Sequence, residues 1–253
     1  MLKTRIIPCL QLKGESLIKT VKFKNFGYIG DPINTVRIFN ELEVDELSFV
    51  DVRASIENKE PNYKILREIA DECFMPLSYG GGVKSLETAK RVYEIGFEKV
   101  ILNTAAFNNP DLITQIATIY GSQAVIVAID CKKNLWGKYE AYGLSGTKMF
   151  RKDAIEWAKE VEQFGAGEIL LTSIEREGTW KGFDTDLVKK IVDASSLPVI
   201  AHGGAGSVKD IEEVVKKTNV SAVALGSMVV YQGKDLGVLV NFPDKILLTE
   251  SLR

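Results

Sequence analysis

Residues 198–227 read Pro-Val-Ile-Ala-His-Gly-Gly-Ala-Gly-Ser-Val-Lys-Asp-Ile-Glu-Glu-Val-Val-Lys-Lys-Thr-Asn-Val-Ser-Ala-Val-Ala-Leu-Gly-Ser. The pattern predicts a strand, a glycine turn at Gly203-Gly204-Ala205-Gly206, a helix, a second strand and a second turn at Gly226-Ser227. Glycines at a strand end let the backbone approach a ligand, and a helix that starts there aims free N–H groups at an anion. Two such turns side by side predict a phosphate pocket.

The same pattern occurs earlier. Pro76-Leu-Ser-Tyr-Gly80-Gly81-Gly82 precedes Ser85 and a helical run, then Val100-Ile-Leu-Asn103-Thr104. Pro76 and Pro198 are about 122 positions apart, as are Ser85 and Ser207, and Glu46-Leu-Ser-Phe-Val matches Glu168-Ile-Leu-Leu-Thr at that spacing. The chain therefore reads as two similar halves, about 1–121 and 122–253, each with its own phosphate site on the same face.

Outward from these stretches, short apolar strands are expected at Arg5–Leu10, Glu46–Asp51, Leu77–Tyr79, Lys99–Asn103, Ala124–Asp130, Glu168–Thr172 and the two of the opening segment, alternating with helices. Strands of this kind are buried on both faces, so the sheet is parallel. Eight units closing on themselves give a single (β/α)8 TIM barrel over 1–253, built from two similar half-barrels. An open doubly wound sheet accounts less well for the repeat. Residues 132–148 alternate aromatic and polar residues around Trp136-Gly137-Lys138-Tyr139 and predict an inserted β-hairpin. Lys13 to Gly30 is a long lysine-rich connection, the kind that is a lid or is disordered.

With 253 residues, 45% hydrophobic and 26% charged, the composition is that of a soluble globular protein. A net charge of −2 leaves no global field for nucleic acid or an anionic membrane. Cys9, Cys73 and Cys131 are odd in number and form no close pair, which points to a reducing compartment and no metal site. No signal peptide or spanning apolar run is visible, so a cytoplasmic location is expected.

In a barrel the working residues sit at the C-terminal ends of the strands: Gln11, Asp51, Gly80 to Gly82, Asn103, Thr104, Asp130, Thr172, Ser173, His202 to Gly204, Gly226 and Ser227. Asp130 is either a general acid or base facing a cavity, or a capping aspartate. Gln11 holds the matching place after the first strand. An amide trades no protons, so it is a substrate anchor or a bland polar residue. His202, the one histidine, is a proton shuttle, a phosphate-neutralising group or a structural residue. Lys13, Lys19, Lys22 and Lys24 alternate with Ile18, Val21 and Phe23, as in a basic lid over a phosphorylated substrate or a solvated hairpin face. Arg5, Glu46, Lys99 and Glu168 each open a strand at the opposite end; two acids and two bases there form a ring closing the barrel bottom or, as pattern alone favours, are solvated surface charges.

Arg5-Ile-Ile-Pro-Cys-Leu, Gly30-Asp31-Pro32, Tyr79-Gly-Gly-Gly82, Asn103-Thr104-Ala105-Ala106, Gly121-Ser122-Gln123, Ala128-Ile129-Asp130, Gly165-Ala-Gly-Glu-Ile-Leu-Leu-Thr-Ser173 and Gly203-Gly-Ala-Gly206 together resemble HisF, the cyclase subunit of imidazole glycerol phosphate synthase. The resemblance covers residues 5 to about 230. It implies a barrel without a cofactor, working with a HisH-like glutaminase on its N-terminal face. Ammonia then passes a charged gate at Arg5, Glu46, Lys99 and Glu168 and travels along the barrel axis. This reverses the surface reading of those four residues. The resemblance makes Asp130 one of two catalytic aspartates and puts phosphate sites at Gly82, Asn103 and Thr104, and at Gly204, Gly226 and Ser227.

The departures line the pocket. The other catalytic aspartate of the family is here Gln11, an Asp-Arg-Asp-Gly-Thr motif is Glu175-Arg-Glu177-Gly-Thr179, and His202 replaces a small residue. Phe23-Lys24-Asn25, Asp31-Pro-Ile-Asn34 and Gly137-Lys-Tyr-Glu140 are similar to HisF paralogues of acetamidino-sugar formation for bacterial surface polysaccharides. That similarity implies a separate sugar amidotransferase as a further partner. Three functions therefore stand as expectations: that paralogue, the authentic cyclase of L-histidine biosynthesis, and a non-catalytic barrel that activates a glutaminase.

Overall fold

The computed structural model describes residues 4–252. Its strands are β1 (Arg5–Lys13), β2 (Ser16–Val21), β3 (Lys24–Gly30), β4 (Leu47–Asp51), β5 (Leu77–Gly80), β6 (Lys99–Leu102), β7 (Val125–Lys133), β8 (Tyr139–Gly143), β9 (Lys148–Asp153), β10 (Glu168–Ser173), β11 (Val199–His202) and β12 (Ala222–Leu225). Eight of them run parallel in the order β10-β11-β12-β1-β4-β5-β6-β7, and the pairing of β7 with β10 closes the ring. The expected TIM barrel is present. Its helices start where the sequence caps them. Asp31, Ser85, Asp153, Asp184 and Ser207 each accept a backbone N–H in the first turn of the helix that follows.

Residues on the barrel strands alternate between two cores. Ile6, Leu10, Leu47, Phe49 and their counterparts pack outward against the helices. Ile7, Cys9, Ile101, Ile126, Ala128, Leu170, Ile200, Ala222 and Ala224 form a separate cluster inside the barrel. The strand period of two thus puts Arg5, Ile7, Cys9 and Gln11 on one inward line, and Glu168, Leu170 and Thr172 on another. Each line has a charge at the bottom, apolar residues in the middle and a polar residue at the top.

The segment after β1 differs from the expectation of a long connection. β1 runs past the rim to Lys13 and pairs antiparallel with β2, which pairs with β3. The cause is the apolar content of β2: Leu17 and Ile18 are buried, so ordering the segment covers surface that a free loop would leave wet. β7 does the same in the second half, running on into the β8–β9 hairpin. Each half-barrel therefore begins with a strand that extends into a hairpin above the rim.

Candidate functional site

Above the apolar interior lies a cavity of about 340 Å³, with Cys9, Ile101 and Leu170 in its floor and Gly82, Asn103 and Thr104 at its rim. Asp130 lines it, half-buried at the inward end of β7. Burial pushes its carboxyl up to about 7, although a hydrogen bond from Thr172 pulls the other way. A carboxyl poised near neutrality can both take and give a proton. Asn103 Nδ2 donates to Asp130 Oδ2 (3.3 Å) and to the Ala128 and Tyr142 carbonyls, which holds the carboxylate in place.

The first-half cradle opens on this cavity. Gly82, with φ +71°, carries no side chain because a Cβ would lie 2.6 Å from the Lys59 carbonyl. Thr104 Oγ1 accepts from Leu144 N (2.9 Å), so the β8–β9 turn of the second half braces the cradle. Asp51 lines the cavity, but its Oδ1 accepts from Arg53 N and Ala54 N. It is a turn-capping carboxylate.

The second-half cradle, at Gly203, Gly204, Gly226 and Ser227, has about 10 Å³ of free space. Gly204, with φ +113°, keeps the left-handed backbone that only glycine takes easily. The space beside Gly226 holds Lys19: a Cβ on Gly226 would lie 2.8 Å from Lys19 Cε. Lys19 pairs with Glu177, and both are almost fully buried. Glu177 also accepts from Thr20 Oγ1 (3.0 Å), Gln11 Nε2 (3.3 Å) and Phe23 N (3.0 Å). Gln11 Oε1 in turn accepts from Thr20 N at 2.8 Å.

Two sequence expectations change here. Of these four lysines, Lys13 at the end of β1 and Lys22 and Lys24 of the β2–β3 hairpin are exposed, whereas Lys19 is buried against Glu177. His202 is buried with Nδ1 3.2 Å from Thr172 Oγ1, and burial lowers its pKa to about 3. A neutral imidazole brings no charge to an anion.

At the opposite end Arg5, Glu46, Lys99 and Glu168 form a closed ring. The contacts are Arg5–Glu46 2.6 Å, Arg5–Glu168 2.9 Å, Lys99–Glu168 2.8 Å and Lys99–Glu46 3.3 Å. Burial alone would raise the Glu168 carboxyl, but its bonds to Arg5 and Lys99 leave it below its ordinary value. The surface reading from pattern alone is overturned by this mutual burial. Glu168 and Thr172 lie on one inward line, about 13 Å apart along the strand. Ile7, Ile126, Ile200 and Ala222 are inward side chains outside the cavity lining, between the ring and the cavity floor.

Residues 5–235 match the family described as Histidine biosynthesis protein. A Pseudomonas aeruginosa protein named Putative imidazole glycerol phosphate synthase subunit hisF2 is 50% identical over 244 residues, 96% of this chain and 97% of its own. The chain belongs to the HisF family. A Vibrio vulnificus relative, Putative imidazole glycerol phosphate synthase subunit hisF3, is 45% identical over 96% of this chain and 94% of its own. The Imidazole glycerol phosphate synthase subunit HisF of Thermococcus onnurineus is 43% identical over 92% of each chain.

In this HisF chain sequence reasoning missed Thr20, Phe23 and the Leu144 amide, which fasten or brace the two cradles. Phe23 stands out in the sequence as an apolar residue among the lysines and in a motif, with no sign of its backbone contact, and the Leu144 contact depends on a turn whose position the sequence does not encode locally. Glu175 and Glu177 also separate. Glu175 accepts from Lys133 N beside the second hairpin, and Glu177 fastens the first. Among the described residues no helix is long and apolar enough to cross a membrane.

Proposed function

We propose that the chain is the synthase subunit of a glutamine-dependent amidotransferase. It admits ammonia at the Arg5/Glu46/Lys99/Glu168 ring and uses it at Asp130 on a phosphorylated substrate held by Gly82, Asn103 and Thr104. The observation that carries this reading is the single inward alternation that stacks a charge ring, an apolar middle and a carboxylate with a raised pKa along one axis. An apolar middle passes neutral ammonia and resists ammonium, whose charge costs several kcal/mol to desolvate. The ring is closed, so entry needs one contact to break, and Lys99–Glu46 is the longest at 3.3 Å. A HisH-like glutaminase docked over the ring is the partner this arrangement serves.

The relatives' names favour the imidazole glycerol phosphate synthase reaction, the cyclase step of L-histidine biosynthesis. Asp130 is then its general acid–base and the Thr172 and Asn103 side chains hold that carboxylate. Gln11 favours a second reading, delivery of ammonia for the acetamidino modification of a nucleotide-linked sugar with a separate sugar amidotransferase. Its amide is bound into the Glu177 network and supplies no second proton-transfer group.

Lys99→Ala tests the ammonia route. Glutamine-driven turnover in the glutaminase complex falls while ammonium-driven turnover of the chain alone survives. Equal loss of both refutes the gate. For the substrate, purified chain is given ammonium salt at alkaline pH and the imidazole-forming substrate, followed by absorbance. Turnover at the rate of an authentic HisF sustains the cyclase reading; very slow turnover that Gln11→Asp raises only in part sustains the second.

A further inference from the structure

His202 is a buried imidazole that the proposed function leaves without a task. We propose that it is a positioning residue: its Nδ1–H donates to Thr172 Oγ1, which commits the Thr172 hydroxyl proton to the Asp130 carboxylate. This rests on Asp130 being the working carboxyl, as proposed above, and adds what holds that carboxyl's donor in place.

The barrel lines up the three residues. Asp130 of β7 is the register partner of Thr172 of β10, and Thr172 is the register partner of His202 of β11. Register partners on parallel strands point to the same face, so all three side chains turn inward. All three line the cavity of about 340 Å³. His202 Nδ1 lies 3.2 Å from Thr172 Oγ1, and both side chains are buried.

A hydroxyl has one proton and two lone pairs. Thr172 therefore donates to His202 or to Asp130, and not to both. Donating to His202 would turn a lone pair on the ionised carboxylate and leave it the 3.3 Å bond from Asn103 Nδ2. A carboxylate out of water and short of donors is costly, so the proton goes to Asp130 and Thr172 Oγ1 accepts from Nδ1–H. The far side of the ring agrees. A Cβ on Gly226 would lie 2.8 Å from Lys19 Cε and 3.7 Å from His202 Nε2, so that ring nitrogen and the lysine chain converge. The Lys19 ammonium disfavours positive charge on the imidazole, and a bare Nε2 beside it is the better arrangement. The other ionisable groups around this line are Cys9 and Cys131, which burial holds as neutral thiols, and Glu177, which is paired with Lys19.

Two labels test this without any turnover. His202 is the one histidine, so untagged chain labelled with 15N in histidine shows a single imidazole. In phosphate-free buffer at pH 9, where Asp130 is ionised, Nδ1 should carry the proton and Nε2 should be bare. The reverse pattern, or an imidazolium, overturns the proposal. Chain labelled with 13C in its aspartate carboxyls then follows the Asp130 titration, the signal being the one that Asp130→Asn removes. Thr172→Val should raise the midpoint by about one unit, the usual size for a hydrogen bond to a charged group. His202→Leu should raise it by a smaller amount and add nothing in a Thr172→Val background. His202→Asn, whose amide nitrogen can stand near the Nδ1 position, should return it to the wild-type value. An unchanged midpoint in His202→Leu, or the same rise from it when Thr172 is absent, overturns the proposal, because the imidazole then does not act through Thr172. If the variants do not fold, the 15N spectrum of the wild type decides alone. Asp130→Asn with full ammonium-driven turnover would instead refute the reading on which this rests, and the spectra decide the hydrogen-bond line either way.

Discussion

The two rims of this barrel are built alike and end differently. Each half starts with a strand that runs on into a hairpin, and each hairpin reaches the other half's glycine cradle, the first also lining the cavity of its own half with Phe23 and Lys24. The second hairpin touches the first-half cradle through the Leu144 amide on Thr104 and contributes Ser145 and Thr147 to the lining of its open cavity. The first hairpin sends the Lys19 side chain into the second-half cradle and ties itself to Glu177. The matching strand ends differ too: Asp130 faces the cavity with its carboxyl raised, and Gln11 is absorbed in the Glu177 network. The same backbone device is left open in one half and filled by a side chain from a neighbouring segment in the other.

The largest expected effect breaks the comparison at the strand ends. Asp130→Asn should lower ammonium-driven turnover by about 10²–10⁴-fold, the usual worth of a general acid–base. Gln11→Asn, lacking any lost proton transfer, should lower it far less. Equal losses would mean that the two ends share one role. Asp130→Asn also has a pH signature in stability. The folded carboxyl titrates at about 7 against an ordinary 3.8, so the wild type loses stability as pH rises between those values. Above pH 7 the variant should be the more stable by up to about 4 kcal/mol, less whatever water in the cavity returns to the carboxylate. At pH 4 the two should unfold at nearly the same urea concentration.

Next in size is the fastening of the filled cradle. Glu177→Ala leaves Lys19 buried without its carboxylate, a loss of about 3–5 kcal/mol for a buried pair broken on one side. Burial pulls the Lys19 ammonium below its ordinary 10.5, so without Glu177 the loss should shrink as pH rises and Lys19 sheds its proton. Urea unfolding at pH 6 and pH 9 measures this. Hydrogen exchange at the Thr20, Lys22 and Phe23 amides should quicken in the variant. A loss that is the same at both pH values contradicts the pairing as the source of the stability.

The smallest effect belongs to the open cradle. Thr104→Ala removes two hydrogen bonds, the one accepted from Leu144 N and the one donated to Asn103 Oδ1, and should cost about 1–2 kcal/mol. Exchange should quicken at Leu144 and leave the Thr20 amide unchanged. A cost as large as that of Glu177→Ala would erase the distinction between a braced cradle and a filled one.

Much of this molecule is readable from its residues because the relevant forces act locally. The helix caps at Asp31, Ser85 and Ser207 need only a side-chain oxygen a few residues from a free N–H. The alternation within each strand and the repeat of Pro76-to-Thr104 in Pro198-to-Ser227 are likewise written in the chain. They determine the barrel, the two half-barrels, the positions of both cradles and the place of Asp130. The ring at Arg5, Glu46, Lys99 and Glu168 could be located in this way, but its character could not. Four charges at strand starts are solvated in most folds, and only closure of the barrel brings them within 3.3 Å of one another.

The fate of the second cradle is beyond local reading. Lys19 and Glu177 are separated by 158 positions, and Lys19 reaches Gly226 because β1 and β12 are neighbours in the closed sheet. Whether a lysine in an alternating hairpin meets solvent or a buried carboxylate depends on which strand edge its hairpin lies beside. Burial, and the shift of pKa that follows from it, is a property of what surrounds a group in space. The chain alone therefore determined where the two glycine turns are built, and tertiary packing alone decided that Lys19 fills the second.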